Sequence, residues 1–319
     1  MKMLAFDLGA SSGKMFIGHF NGERLNLDIA KRFDNQAIFV RNESFWDVLK
    51  IFEDLKSGIL EGLQMDKSIS SIGLDSYSND FGLLDKDGYF LNQIHCYRDE
   101  RTKRNEERIY STMSKEMIHH YGGNQNALFG TLMQLASMKL ENQGFLLDNA
   151  DTLLFLPDLF SYFLTGEIHS EYTISSVSQM LDFTKVDWSA EILEAFDLPK
   201  HIFKPITPSG TKVGKVSQLG ANFPGDSSLE VIAVCEHDTA SAFLAAPLGK
   251  DSIIISSGTW SLVGVETREP IINDYTLSHN IANEGGYPGH HRLLKNVMGL
   301  WLIQECQRWF SETGNESSI

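Results

Sequence analysis

Apolar residues run from Met3 to Leu8, stop at Gly9-Ala10-Ser11-Ser12-Gly13, and resume from Lys14 to Phe20 before Asn21-Gly22. Short runs bounded by glycine turns predict strands, and Asn-Gly between two of them predicts a hairpin. Arg24 to Phe33 then reads as a third strand of a meander. From Glu43 to Met65 the apolar positions take helical spacing, with Trp46, Val48, Leu49, Phe52, Leu55 and Leu60 as the expected buried stripe. Ser70 to Asp75 and Asp80 to Leu84 read as strands, with a turn at Asp87-Gly88. Residues 105–142 read as helices broken at Gly122-Gly123, and Pro157-Asp158 starts another. Leu229 to Cys235 predicts a strand and Asp238 to Leu244 a helix; strands follow from Ser252 and over Trp260 to Glu266, then a helix over Leu293 to Phe310. Strands alternating with helices predict an α/β architecture. Pro247-Leu248-Gly249-Lys250 marks the expected boundary between units 1–247 and 248–319.

A length of 319 residues suits two domains. The net charge of -15 argues against a nucleic-acid partner, which needs a basic face. Asp7 interrupts the first apolar run before it makes a leader, and no stretch reaches the ~18 apolar residues of a membrane helix. A cytoplasmic protein without a membrane partner is expected; oligomeric state has no signal here. Cys96, Cys235 and Cys306 are dispersed, so reduced thiols are expected. The histidine pairs 119–120 and 290–291 lack the spacing of helical zinc ligands.

The chemistry concentrates in turns. Asp7 to Lys14 invites comparison with a Walker A loop, but is one residue short between its glycines and lacks Ser or Thr after the lysine. A strand-turn-strand phosphate loop is the alternative, with glycines admitting backbone amides close to oxygen atoms. Ile253-Ile254-Ile255 running into Ser256-Ser257-Gly258-Thr259 repeats the pattern, so two facing turns can clamp a phosphate. Either alone is equally a tight hairpin. Glu236-His237-Asp238-Thr239 stands between a strand and a helix, where Asp238 either caps the helix or takes a proton from an attacking hydroxyl. Asp7 stabilises its turn or orients magnesium through water.

In chain order, DLGASSGK (7–14), YRDERT (97–102), PDLFSYFLTG (157–166), HDTASA (237–242), SSGTWSL (256–262), NEGG (283–286) and LKNVMGLWLIQ (294–304) make the sequence resemble the FGGY carbohydrate kinases over essentially its whole length. The resemblance implies two ribonuclease-H-like domains closing on ATP and a ketose, with Mg2+. It implies that Ala10, Ser11, Ser12, Gly13, Lys14, Thr259 and Gln304 line the nucleotide site. His237, Asp238, Thr239 and Asn296 would meet the sugar, with Asp238 as base for γ-phosphate transfer to a primary hydroxyl. Asn296 and Gln304, eight residues apart on the expected helix, would share a face. Arg98, Asp99 and Arg101 form either a solvated ion-pair network or a support for the sugar-binding loops.

The branch acting on L-rhamnulose is the expected one, with two departures. That branch reads Asp-Thr-Trp-Gly-Val-Asp where this chain has Asp75-Ser76-Tyr77-Ser78-Asn79-Asp80, so Ser78 brings a side chain to a position expected to touch sugar. Its Phe-Asn-Thr appears as Phe129-Gly130-Thr131. Alternatives are a kinase of L-fuculose, xylulose or a related ketose, an actin-like ATPase without a sugar acceptor, and a sugar sensor. The family's later adenosine-holding segment has no counterpart before Ile319, so an incomplete second unit and weak ATP affinity are expected of these 319 residues.

Overall fold

The computed structural model describes residues 1–217, 228–247, 249, 252–258 and 260–314. Strands β1 (Lys2–Leu8), β2 (Ser12–Phe20) and β3 (Leu25–Asp34) form the expected antiparallel meander. Gly22, at φ +105°, supplies the left-handed residue of the turn between β2 and β3. The Asn21 side chain accepts from the amides of Glu23 and Arg24 there.

Helix α1 (Val48–Met65) starts later than its periodicity suggests, because Asp47 caps it by accepting from the Lys50 amide. The preceding Glu43–Trp46 is instead a strand paired with Ala37–Val40. This start rotates the buried stripe to Val48, Ile51, Leu55 and Ile59, leaving Leu49 64% exposed. Gly62 lets α1 approach the sheet, since a Cβ there would lie 2.7 Å from the Leu4 side chain.

Strand β4 (Ser71–Ser76) runs parallel to β1, and helices α2 (Thr131–Leu140) and α3 (Leu156–Thr165) follow, α3 with Pro157 in its first turn. Strands β5 (Thr211–Lys215) and β6 (Glu230–Ala233) complete a six-stranded sheet of order β5-β6-β4-β1-β2-β3. Its antiparallel meander continues into the parallel strands β4 and β6. Helix α4 (Asp238–Ala245) leaves the end of β6.

The second sheet is antiparallel, with β7 (Ile254–Ser257), β8 (Trp260–Thr267), β9 (Ala282–Gly285) and β10 (His291–Met298) in the order β7-β8-β10-β9. The helix expected from Leu293 is therefore β10, and helix α5 (Trp301–Glu312) begins only beyond Gly299. Leu293, Leu294 and Val297 do recur at helical spacing, but pairing on both sides with β8 and β9 overrides that local signal. Asn296 and Gln304 consequently lie on different elements.

A small core of Ile254, Leu262, Ala282 and Leu294 takes Phe243 from α4, joining the two units. A polar seam joins them again along β9. There Asn283 donates to the Gly123 carbonyl from its amide and its side chain, at 3.0 and 2.9 Å, and the Gly285 amide donates to Ser176 Oγ. Among the described residues no helix is long and apolar enough to cross a membrane. The proposed boundary falls partly outside the described residues, at Leu248 and Lys250.

Candidate active site

A cavity of about 400 Å3 lies where the β1–β2 turn, the β7–β8 turn and the start of α4 converge. The β1–β2 turn contributes Asp7, Gly9, Ala10, Ser11, Ser12 and Lys14. Gly9 donates to the Ser12 carbonyl at 2.9 Å, and a Cβ on it would sit 3.0 Å from that oxygen. Asn35, buried and not singled out from sequence, holds the turn by donating to the carbonyls of Gly9 and Ser11. Gly13 does not line the cavity; its missing Cβ makes room for the Phe33 ring, 2.1 Å away from where it would be. Ser256, Ser257 and Gly258 contribute from the β7–β8 turn, while Thr259 lies outside the described residues.

His237, Asp238 and Thr239 line the cavity from the start of α4. His237 occupies the cap position of α4, so Asp238 is already in the first helical turn and is not the cap. One Asp238 oxygen accepts from the Thr239 amide at 2.5 Å and from its hydroxyl at 3.1 Å. Burial pushes this carboxyl up to about 6, against the Thr239 hydrogen bonds and with some repulsion from Asp7. The side chain keeps 38% exposure to the cleft, so water reaching it moderates that shift.

Arg292 organises the neighbouring histidine. Its side chain is fully buried, donates to His237 Nδ1 at 3.0 Å and to the Gly285 carbonyl at 2.7 Å, and pairs with the buried Glu284 at 3.1 Å. A guanidinium can only donate, so Nδ1 accepts and the neutral imidazole carries its proton on Nε2, 3.4 Å from Asp238. Burial, then Arg292, hold His237 well below the usual histidine range, which keeps it neutral.

Asp75 opens the departing motif Asp75–Asp80, and nothing in the sequence gives it a role of its own. The β1–β4 register sets it beside Asp7. Burial first, then repulsion from Asp7 and Asp238, push its carboxyl well above the usual carboxylate range. Asp7 also shifts upward through burial, offset by Lys14 at 3.9 Å.

Ser78 lines the cavity, and its hydroxyl accepts from the Asn79 amide group at 3.0 Å. Asn79, at φ +79°, is held from behind by Thr131 and Gln134, both donating to its carbonyl. Gln134 in turn accepts from Arg101 at 2.7 Å. Asp99 and Arg101 are thus buried supports and not a solvated network; the Asp99 carboxylate accepts from the Ser44 and Arg101 amides. Arg98 is exposed, 5.2 Å over the Tyr97 ring, and it is Tyr97 that lines the cavity. Asn296 reaches the cavity from β10, whereas half-buried Gln304 on α5 is not among its lining residues.

A meander continued by parallel strands, with a second sheet bringing a like turn to the same cavity, is the ribonuclease-H-like architecture of sugar kinases. The chain belongs to the FGGY family of carbohydrate kinases: the family's N-terminal domain profile matches residues 2–245 and its C-terminal domain profile residues 253–319. It is 38% identical over 310 residues to a rhamnulokinase of Bacteroides thetaiotaomicron, covering 97% of this chain and 64% of that protein. With a rhamnulokinase of Oceanobacillus iheyensis it shares 36% identity over 314 residues, covering 97% and 65%. The chain thus spans under two thirds of the length of these relatives. Among solved structures, a ligand-bound xylulose kinase from Lactobacillus acidophilus superposes with TM-score 0.82 at 16% identity, covering 96% of this chain and 62% of that one. Plasmodium falciparum glycerol kinase with ADP gives 0.78 at 14% identity, covering 98% and 63%. At such identities these structures speak to the fold alone.

Proposed function

We propose that this chain belongs to an ATP-dependent ketose kinase that transfers the γ-phosphate to a primary hydroxyl, with L-rhamnulose as the expected acceptor. The observation that carries the reading is Asp238, a carboxylate in the cleft between the two hydroxyl-and-glycine turns, beside a histidine fixed by Arg292. Asp238 accepts the proton of the attacking hydroxyl, and His237 Nε2–H orients that hydroxyl or the carboxylate. The turns offer amides and hydroxyls to phosphate oxygens, with Lys14 adding charge. Asp7, a hard oxygen donor 45% exposed at the cavity, suits magnesium held through water. Bound there, magnesium would neutralise phosphate charge.

The test is ADP formation across a ketose panel with magnesium: sugar-dependent release supports the reading, and sugar-independent release favours an actin-like ATPase. The base must be ionised to work, so kcat is expected to fall as pH drops through about 6, where Asp238 takes up its proton. A flat profile between pH 5 and 8, measured at saturating substrates, would remove Asp238 from that role. Replacing Ser78 by glycine is expected to raise preference for L-rhamnulose over the other ketoses, by roughly tenfold for one altered polar contact. Unchanged ratios of kcat/KM would show that this hydroxyl does not shape the pocket.

A further inference from the structure

We infer that Gln179 and Gly130 act together as a specificity-determining pair in the acceptor pocket, an inference that rests on the ketose-kinase reading. Gln179 is 1% exposed yet lines the cavity, and its backbone is left-handed at φ +69°. For a residue with a side chain that conformation needs support from its surroundings. Two glycines give it. A Cβ on Gly122 would meet the Gln179 backbone carbonyl at 2.5 Å, and a Cβ on Gly130 would meet the Gln179 side-chain oxygen at 2.0 Å.

Gln179 thus packs its backbone against one end of the segment 122–130 and its side chain against the other, and that segment supplies Gln125 and Phe129 to the cavity wall. Its Nε2 donates to the Gln125 carbonyl at 2.9 Å, while its Oε1 has no hydrogen-bond partner. That oxygen is enclosed against Gly130 and not open to the cavity, so the pair acts through the position of the wall that the Gln179 amide holds. Gly130 makes this possible: any side chain there displaces the Gln179 amide, releases Gln125 and moves the wall. The ligand class selected is a polyhydroxylated sugar with a hydroxyl directed at this wall.

The experiment is a double-mutant cycle on ketose binding, by calorimetric titration of L-rhamnulose, L-fuculose and D-xylulose without nucleotide, with thermal midpoints recorded in parallel. Gly130→Ala is expected to weaken the preferred ketose by about tenfold and to alter the order of preference. Gln179→Ala removes the collision partner, so adding Gly130→Ala in that background is expected to cost little. Additive losses, or a lowered thermal midpoint with an unchanged order of preference, would overturn the inference and leave the pair purely structural. Failure of the unaltered protein to bind any sugar of the panel is a separate outcome. It removes the ketose reading itself and this inference with it.

Discussion

Replacing Asp238 by asparagine is expected to lower phosphoryl transfer by about 10²- to 10⁴-fold, the range for loss of a positioned proton acceptor. The substitution keeps the shape of the side chain, and an asparagine oxygen can still accept from the Thr239 amide and hydroxyl as the carboxylate does. What it removes is the capacity to take a proton from the acceptor hydroxyl. Ketose affinity should therefore change by less than about tenfold, since sugar contacts other than the proton transfer persist. The two quantities are separable by titrating the ketose without nucleotide and measuring turnover at saturation. Normal turnover in the variant would refute the assignment. A matching loss of affinity would make Asp238 a binding group only.

The second large effect concerns stability. Changing Arg292 to methionine should destabilise the chain by about 3–5 kcal/mol, because it strands Glu284 in the interior without its cation. Both partners are almost wholly buried, Arg292 at 0% and Glu284 at 3%. The guanidinium also donates to the Gly285 carbonyl and His237, so two acceptors lose a donor as the carboxylate loses its cation. Adding Glu284→Gln should recover part of the loss, as it removes the stranded charge but not the missing donors. Urea midpoints for the single and double variants give the answer. A shift below about 1 kcal/mol for the single change would mean that water replaces the guanidinium, contrary to this burial. His237 should also lose its fixed tautomer, visible as a change in its imidazole NMR signals.

These two residues differ in how visible they are in sequence. Asp238 stands in a compact motif at the end of a strand, where local order alone suggests a cleft position. The meander β1–β3 is equally legible, because β1 and β2 are apolar runs bounded by the Gly9–Gly13 turn and Asn21-Gly22, and β3 follows that hairpin turn. Arg292 is silent in sequence: its partner His237 is 55 positions away, and nothing local distinguishes a buried arginine from a solvated one. Asn35 and Asp75 are silent for the same reason, since their importance comes from the β1–β2 turn and the β1–β4 register. The β10 segment misleads outright. Its spacing of Leu293, Leu294 and Val297 satisfies a helix, and only neighbours on both sides make it a strand. Arg101 is a milder case, a charge that looks solvated and instead braces Gln134 from the interior.

The β9 seam makes the second sheet a lever. Directional hydrogen bonds from Asn283 and Gly285 hold that edge, whereas β7, at the other edge of the sheet, rests on α4 through apolar packing that tolerates sliding. Were the sheet to rotate about β9, the β7–β8 turn would stand two to three strand spacings from the pivot, roughly 10–14 Å. A swing of about 10° on that arm would carry Ser257 and Gly258 through roughly 2 to 2.5 Å, more than the reach over which a hydrogen bond persists. The same rotation barely moves Glu284 and Arg292, which lie near the pivot beside His237. The β7–β8 turn can thus travel while the His237–Asp238 side stays in register.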